Sequence, residues 1–180
     1  MHNARMSDWP RLRSVVRTIF PHLSDSDVSN LLRWHHQGTV VACRGRDLIG
    51  YYQIHPRGEP GVAWLNYFGV LPAWRGFGVA DSLLAMSERH ARTCGFDSMM
   101  LDSWVNDVRA HRFYERSGYA RQGQQACTDG AKLRFAKTLA QTPVLARAMP
   151  ALEPATAVTR VLRKLAYGVL LRWPNAGVTA

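Results

Sequence analysis

The stretch Tyr67-Phe68-Gly69-Val70-Leu71-Pro72-Ala73-Trp74-Arg75-Gly76-Phe77-Gly78-Val79-Ala80 decides how this chain reads. It opens as the end of an aromatic and β-branched run, Val62 to Val70, long enough for a central strand. Pro72 and two glycines then mark a turn. From Val79 onward Ala80, Leu83, Leu84, Ser87 and Ala91 recur at helical spacing, up to Cys94 and Gly95, where glycine can adopt the left-handed cap. A strand that feeds a glycine-rich turn and then a helix suits a diphosphate. The first N–H groups of a helix lack internal partners and lie at the positive end of its dipole, and Gly76 and Gly78 bring no Cβ to hold an anion away. A plain tight turn has the same composition, so the surrounding segments carry the decision.

Upstream, Leu12, Val15, Val16, Ile19 and Phe20 form the stripe of a helix that Pro21 ends. Ser24 to Asp27 begin a second helix, with Val28, Leu31 and Leu32 on one face and Gly38 as its stop. Thr39 to Arg44 and Leu48 to His55 read as a hairpin around Gly45, Arg46 and Asp47, and Pro56 to Gly61 connect it to the central strand. Downstream come a strand at Met99 to Leu101 and a short helix from Val108 to Ser117, with Asp107 as N-cap and Gly118 at its end. A second hairpin joins Tyr119 to Gln124 with Ala131 to Thr138 through Thr128, Asp129 and Gly130. Strand, helix, strand, helix in alternation requires crossovers, hence at least one parallel strand pair.

The chain has 180 residues, 47% hydrophobic and 20% charged, the composition of one folded domain rather than of a disordered, collagenous or coiled-coil chain. No run of 18 apolar residues exists and the N-terminus lacks the apolar stretch of a secretion signal, so a cytoplasmic, non-spanning protein is expected. Cys43, Cys94 and Cys127 stand too far apart for a disulfide framework or zinc knuckle, and the adjacent His35 and His36 would point about 100° apart on a helix. No metal site is expected. With 23 Lys and Arg against 13 Asp and Glu, the net charge of +10 calls for an anionic partner. The basic residues are scattered, without a helix-turn-helix or RNP pattern, which argues against nucleic acid.

The folded unit is expected to span 1–139, followed by a basic extension over 140–180. Within the extension Val158, Val161, Leu162, Leu165, Ala166, Val169 and Leu170 make the apolar face of a helix whose other side carries Arg160, Arg163 and Lys164. Such a helix can pack on its own domain or in a homodimer, lie on an anionic membrane surface through 154–173, or grip an acidic carrier.

Two ordered motifs add to this. Arg75, Gly78 and Ala80 follow Val70 and Pro72, and Ala110, Phe113, Tyr114, Glu115, Gly118 and Tyr119 follow at a suitable distance. In this order the motifs resemble those of the GCN5-related N-acetyltransferase (GNAT) family, over about residues 10 to 139. The resemblance implies a mixed α/β fold with a mostly antiparallel sheet, a splayed central parallel pair and helices on both faces. It implies acetyl-CoA as co-substrate, with the backbone of Phe68 and Val70 on its pantetheine arm and Arg75, Gly76, Phe77, Gly78, Val79 and Ala80 around its pyrophosphate. Tyr114 falls where members of the family protonate the leaving thiolate, after direct attack by a small-molecule or protein amine. The family also has an Asn seven residues before the tyrosine. Here that position holds Asp107, with Asn106 one place earlier as a cofactor contact, and both also suit helix capping.

Two departures matter. Many relatives carry a Glu on the strand before the loop, where this chain reads Trp64, Leu65, Asn66, Tyr67. Glu59, His55 and Asp102 are then the candidate bases, and Asn66 could order a water instead. An acyl-CoA-binding regulatory or membrane-surface module without catalysis is the alternative this departure supports. The family's first strand also has no strand-like counterpart in Met1 to Trp9. As to the acceptor, a protein this basic favours a small or acidic amine over a polycation.

Overall fold

A computed structural model describes residues 1–34, 38–128 and 130–139. The helix expected within 154–173, with its membrane and dimer readings, lies outside the described residues, as do His35, His36 and Asp129.

Seven strands form one sheet: β1 (His2–Asn3), β2 (Thr39–Arg44), β3 (Asp47–Pro56), β4 (Val62–Val70), β5 (Ser98–Trp104), β6 (Ala120–Cys127) and β7 (Gly130–Thr138). Their spatial order is β1-β2-β3-β4-β5-β7-β6, and among the described residues only β4 and β5 run parallel. Among the described residues four α-helices accompany them: α1 (Trp9–Ile19), α2 (Asp25–Trp34), α3 (Val79–Thr93) and α4 (Val108–Arg116). Helices cover both faces. On one, Leu12, Val16, Val28 and Leu31 pack against Val41, Leu48 and Tyr51; on the other, Leu83, Leu84 and Tyr114 pack against Ile49, Ala63, Leu65, Leu101 and Phe135. Residues 48–54 of β3 are all buried because the strand has a helix layer on each side.

The register creates the site. β4 and β5 pair only at Val62↔Ser98, Ala63↔Met99 and Trp64↔Met100. Beyond Trp64, β4 follows β3 up to Val70↔Gly50, while β5 follows β7 up to Trp104↔Lys132. The two parallel strands therefore part company at Asn66 and Asp102, leaving a slot. A bulge in β4 adds a residue opposite Tyr52, and within it Tyr67 takes φ 44°, a left-handed conformation that a tyrosine adopts only when its surroundings impose it. Those surroundings are Phe20 of the helical layer, whose ring stands 5.9 Å away, edge to face.

One expectation is corrected at the N-terminus. The first strand is present, reduced to His2 and Asn3, which pair with Val41 and Val40. Buried Asp8 holds it: its carboxylate accepts from His2 Nε2 at 3.0 Å, from the Arg5 backbone N–H at 2.9 Å and from Arg11 Nη2 at 2.9 Å. The Arg5 N–H, then the His2 and Arg11 side chains, keep this carboxyl below its ordinary value against the opposing effect of burial. A lowered folded-state pKa contributes stability that is complete above the ordinary carboxylate range and is lost as pH falls through the folded value. Asp8→Asn is accordingly expected to cost about 1–2 kcal/mol at pH 7. The difference from wild type should shrink below about pH 4, as measured by urea unfolding across that range.

Candidate active site

Leu71 leaves the sheet with its N–H on Ile49 O at 2.9 Å, and Pro72–Trp74 make a single 3₁₀ turn closed by Trp74 N–H on Leu71 O at 2.9 Å. Arg75 folds back, its Nε donating to Val70 O at 3.1 Å, so the turn is tied to the end of β4. Gly76 and Gly78 then take φ 86° and 73°. A Cβ on either would meet nothing within 4 Å, so it is the left-handed backbone that calls for glycine here, and the surface of the turn is open. The first chain-internal bond at the start of α3 is Ser82 N–H to Gly78 O at 3.0 Å, which leaves the amides of Val79, Ala80 and Asp81 without an intrahelical acceptor. Arg75 to Gly78 are exposed, Phe77 by 75%. Open amides, a helix N-terminus and a basic side chain fit a diphosphate.

Across the slot, α4 presents its aromatic residues. Asp107 caps it through Oδ1, which accepts from Ala110 N–H at 3.0 Å, and His111 Nε2 donates to Trp104 O at 2.9 Å, fixing the helix to the end of β5. The Phe113 ring stacks on Phe68 at 5.8 Å, and Tyr114 lies 6.3 Å from Phe68 and 5.9 Å from Phe135. Thus Phe68 and Tyr114, far apart in sequence, share one wall. The Tyr114 side chain is buried between these rings. Burial, with a smaller contribution from Asp107, pushes its phenol well above the ordinary value. It therefore stays protonated at any working pH.

The other candidates fall as follows. Asn66 is half-buried at the parting of the strands, its Nδ2 3.2 Å from His55 Nε2. Asn106 is exposed in the turn after β5, and capping falls to Asp107. Glu59 is exposed in the connection before β4, and four residues of strand, about 13 Å, separate Val62 from the slot mouth at Asn66. Its charge acts on Arg134 instead. Asp102 gains what Glu59 loses. It stands two residues past Met100 as Asn66 stands two past Trp64, so the two share one side of the sheet across the mouth. Arg134 orients the carboxylate through Nε to Oδ1 at 3.0 Å and Nη2 to Oδ2 at 3.3 Å. Sequence reasoning had no means of preferring Asp102, since the point where β4 and β5 separate is a tertiary property. Among the described residues no three His, Cys, Asp or Glu side chains cluster as metal ligands.

A sequence profile of the Acetyltransferase (GNAT) family matches residues 3–119, the segment that builds both walls of the slot. The chain belongs to the GNAT family. Among its relatives, an aminoglycoside N(6')-acetyltransferase type 1 of Stenotrophomonas maltophilia is 28% identical over 115 residues, covering 64% of this chain and 74% of the relative. An aminoalkylphosphonate N-acetyltransferase of Salmonella typhimurium is 31% identical over 83 residues, 44% of this chain and 54% of that protein. A Bacillus anthracis acetyltransferase solved in complex with acetyl coenzyme A superposes with a TM-score of 0.52 at 19% identity, covering 56% of this chain and 61% of that one. This GNAT chain is thus an acetyl-CoA-dependent N-acetyltransferase. Its mixed sheet with one parallel pair is the architecture the motifs implied.

Proposed function

We propose that this GNAT chain moves the acetyl group of acetyl-CoA directly onto the amine of a small molecule or protein, with Asp102 as proton acceptor and Tyr114 as proton donor. Acetyl-CoA supplies a thioester carbon open to attack and a thiolate that leaves. The turn from Arg75 to Ala80 holds the diphosphate through its amides, and the backbone of Phe68 and Val70, at the unpaired edge of β4, lines the pantetheine arm. A protonated amine costs about 4 kcal/mol to deprotonate at pH 7. Carboxylates in general are too weakly basic to do this to a free ammonium. Once the nitrogen begins to bond to carbon its proton becomes strongly acidic, and a carboxylate held at the mouth can then receive it. Asp102 returns that proton to water. Tyr114 gives its own to the departing sulfur and regains one from solvent. Asn66, donating to His55, keeps its side-chain carbonyl available for the incoming amine or a water.

The observation that carries this reading is the Tyr114 ring, buried against Phe68 where the two strands have parted. The Asp102 role is tested by thiol release from acetyl-CoA with a reactive amine. Asp102→Asn is expected to lower kcat by about 10- to 100-fold with little change in KM for acetyl-CoA. Wild-type kcat in this variant would remove Asp102 from proton transfer.

A further inference from the structure

On one side of the sheet, beside the slot mouth, the alternate residues of β5 stay half-exposed: Met100, Asp102 and Trp104, against buried Met99 and Leu101. α1 packs on β3, and no described helix covers this side of β5 and β7. The side chains that do occupy it are mostly cations lying on tryptophans. Lys132, the strand partner of Trp104, holds Nζ 4.4 Å from the centre of that ring. Arg57 and Arg134 lie on Trp64 at 4.6 and 4.8 Å. Arg134 is already matched by Asp102, with Gln125 Oε1 accepting a further bond at 2.7 Å and Glu59 acting on it from a distance. Lys132 and Arg57 have no carboxylate partner among the described residues. Trp64, between the two guanidiniums, has a buried indole N–H without an acceptor.

From this imbalance we infer that the acceptor is a small amine that carries an anionic group, a carboxylate, phosphonate or phosphate, and that Lys132 receives the anion while the amine enters between Asn66 and Asp102. The inference rests on the acetyl-transfer reading above and gives it a substrate class. Lys132 stands one alternate position outward from Arg134 on β7, about 7 Å along the strand, so an amine and an anion a few bonds apart span the distance from the mouth. The cations do two things. They attract the anion, and they disfavour a second positive charge, so that the amine reaches the thioester more readily in its neutral, nucleophilic form. An acceptor with several ammonium groups meets repulsion from the same residues, only partly offset by the paired Asp102 and by Glu59.

Full-length protein with acetyl-CoA, assayed by thiol release against amines that share one aminoethyl stem, provides the test. The stems end in a phosphonate, a carboxylate, a carboxamide or a second ammonium. The anionic members are expected to exceed the carboxamide by about tenfold in kcat/KM, chiefly through KM, with the diamine slowest. In Lys132→Gln the ratio of anionic to carboxamide substrate falls toward one, and in Lys132→Glu the order of anion and diamine inverts. Equal kcat/KM across the four ends, or a ratio unmoved in both variants, overturns the anion site while acetyl transfer stands. No thiol release with any of the four, although CoA binds, overturns both.

Discussion

Tyr114→Phe is expected to lower kcat for acetyl transfer by about a hundredfold or more while the affinity for CoA holds. The substitution deletes one hydroxyl and keeps the ring, whose contacts with Phe68, Phe113, Tyr119 and Phe135 anchor α4 to the sheet. Because the ring and its packing are kept, the thermal midpoint should move little. The loss should appear in kcat and kcat/KM alike, the pattern of an interaction made only in the transition state. Burial keeps the phenol protonated, so wild-type kcat should show no alkaline decline from this group up to about pH 10. Wild-type kcat in Tyr114→Phe would show that the thiolate leaves without its proton.

Gly78→Val is expected to weaken CoA binding by about 10- to 100-fold. Gly78 sits at φ 73°, ahead of α3, and a β-branched residue there costs about 1–2 kcal/mol or forces the turn to another conformation. Relaxing the turn re-aims the amides of Val79 and Ala80, so affinity for the diphosphate falls along with stability. Gly45→Val is the control, because Gly45 has φ 60° and equally open surroundings in the β2–β3 hairpin. It should lose comparable stability without losing CoA. If both variants bind CoA as wild type does, the turn does not hold the cofactor.

Much of the architecture is legible in local pattern. β4 spans the nine residues Val62–Val70 that its aromatic and β-branched run marks, and Asp107 caps α4 as its position implied. Local pattern succeeds there because a central strand and a capped helix owe their limits to their own side chains. β1 fails the same test. Two residues carry no periodicity, and the strand exists because β2 offers an open ladder and Asp8 pins His2 against it. The site divides along the same line. The loop from Arg75 to Ala80 and Tyr114 are motif positions, readable in order. A preference for Asp102 over Glu59 draws on where two parallel strands stop pairing, at Trp64↔Met100, and local pattern does not carry that register. Closeness in sequence to the start of β4 put Glu59 forward, yet the rise of an extended strand carries it away from the mouth. The basic side of β5 and β7 was likewise hidden, since Arg57, Lys132 and Arg134 are scattered in sequence and gather only when β4, β5 and β7 lie side by side.

The measurement closest to the heart of this account is a calorimetric titration of CoA into the full-length wild-type chain, repeated with Gly78→Val. Saturable heat with one site per chain, weakened about tenfold or more in the variant, is the predicted result. A titration without heat, or one that the Gly78 substitution leaves unchanged, contradicts the claim that the amides between Arg75 and Ala80 bind the coenzyme's diphosphate.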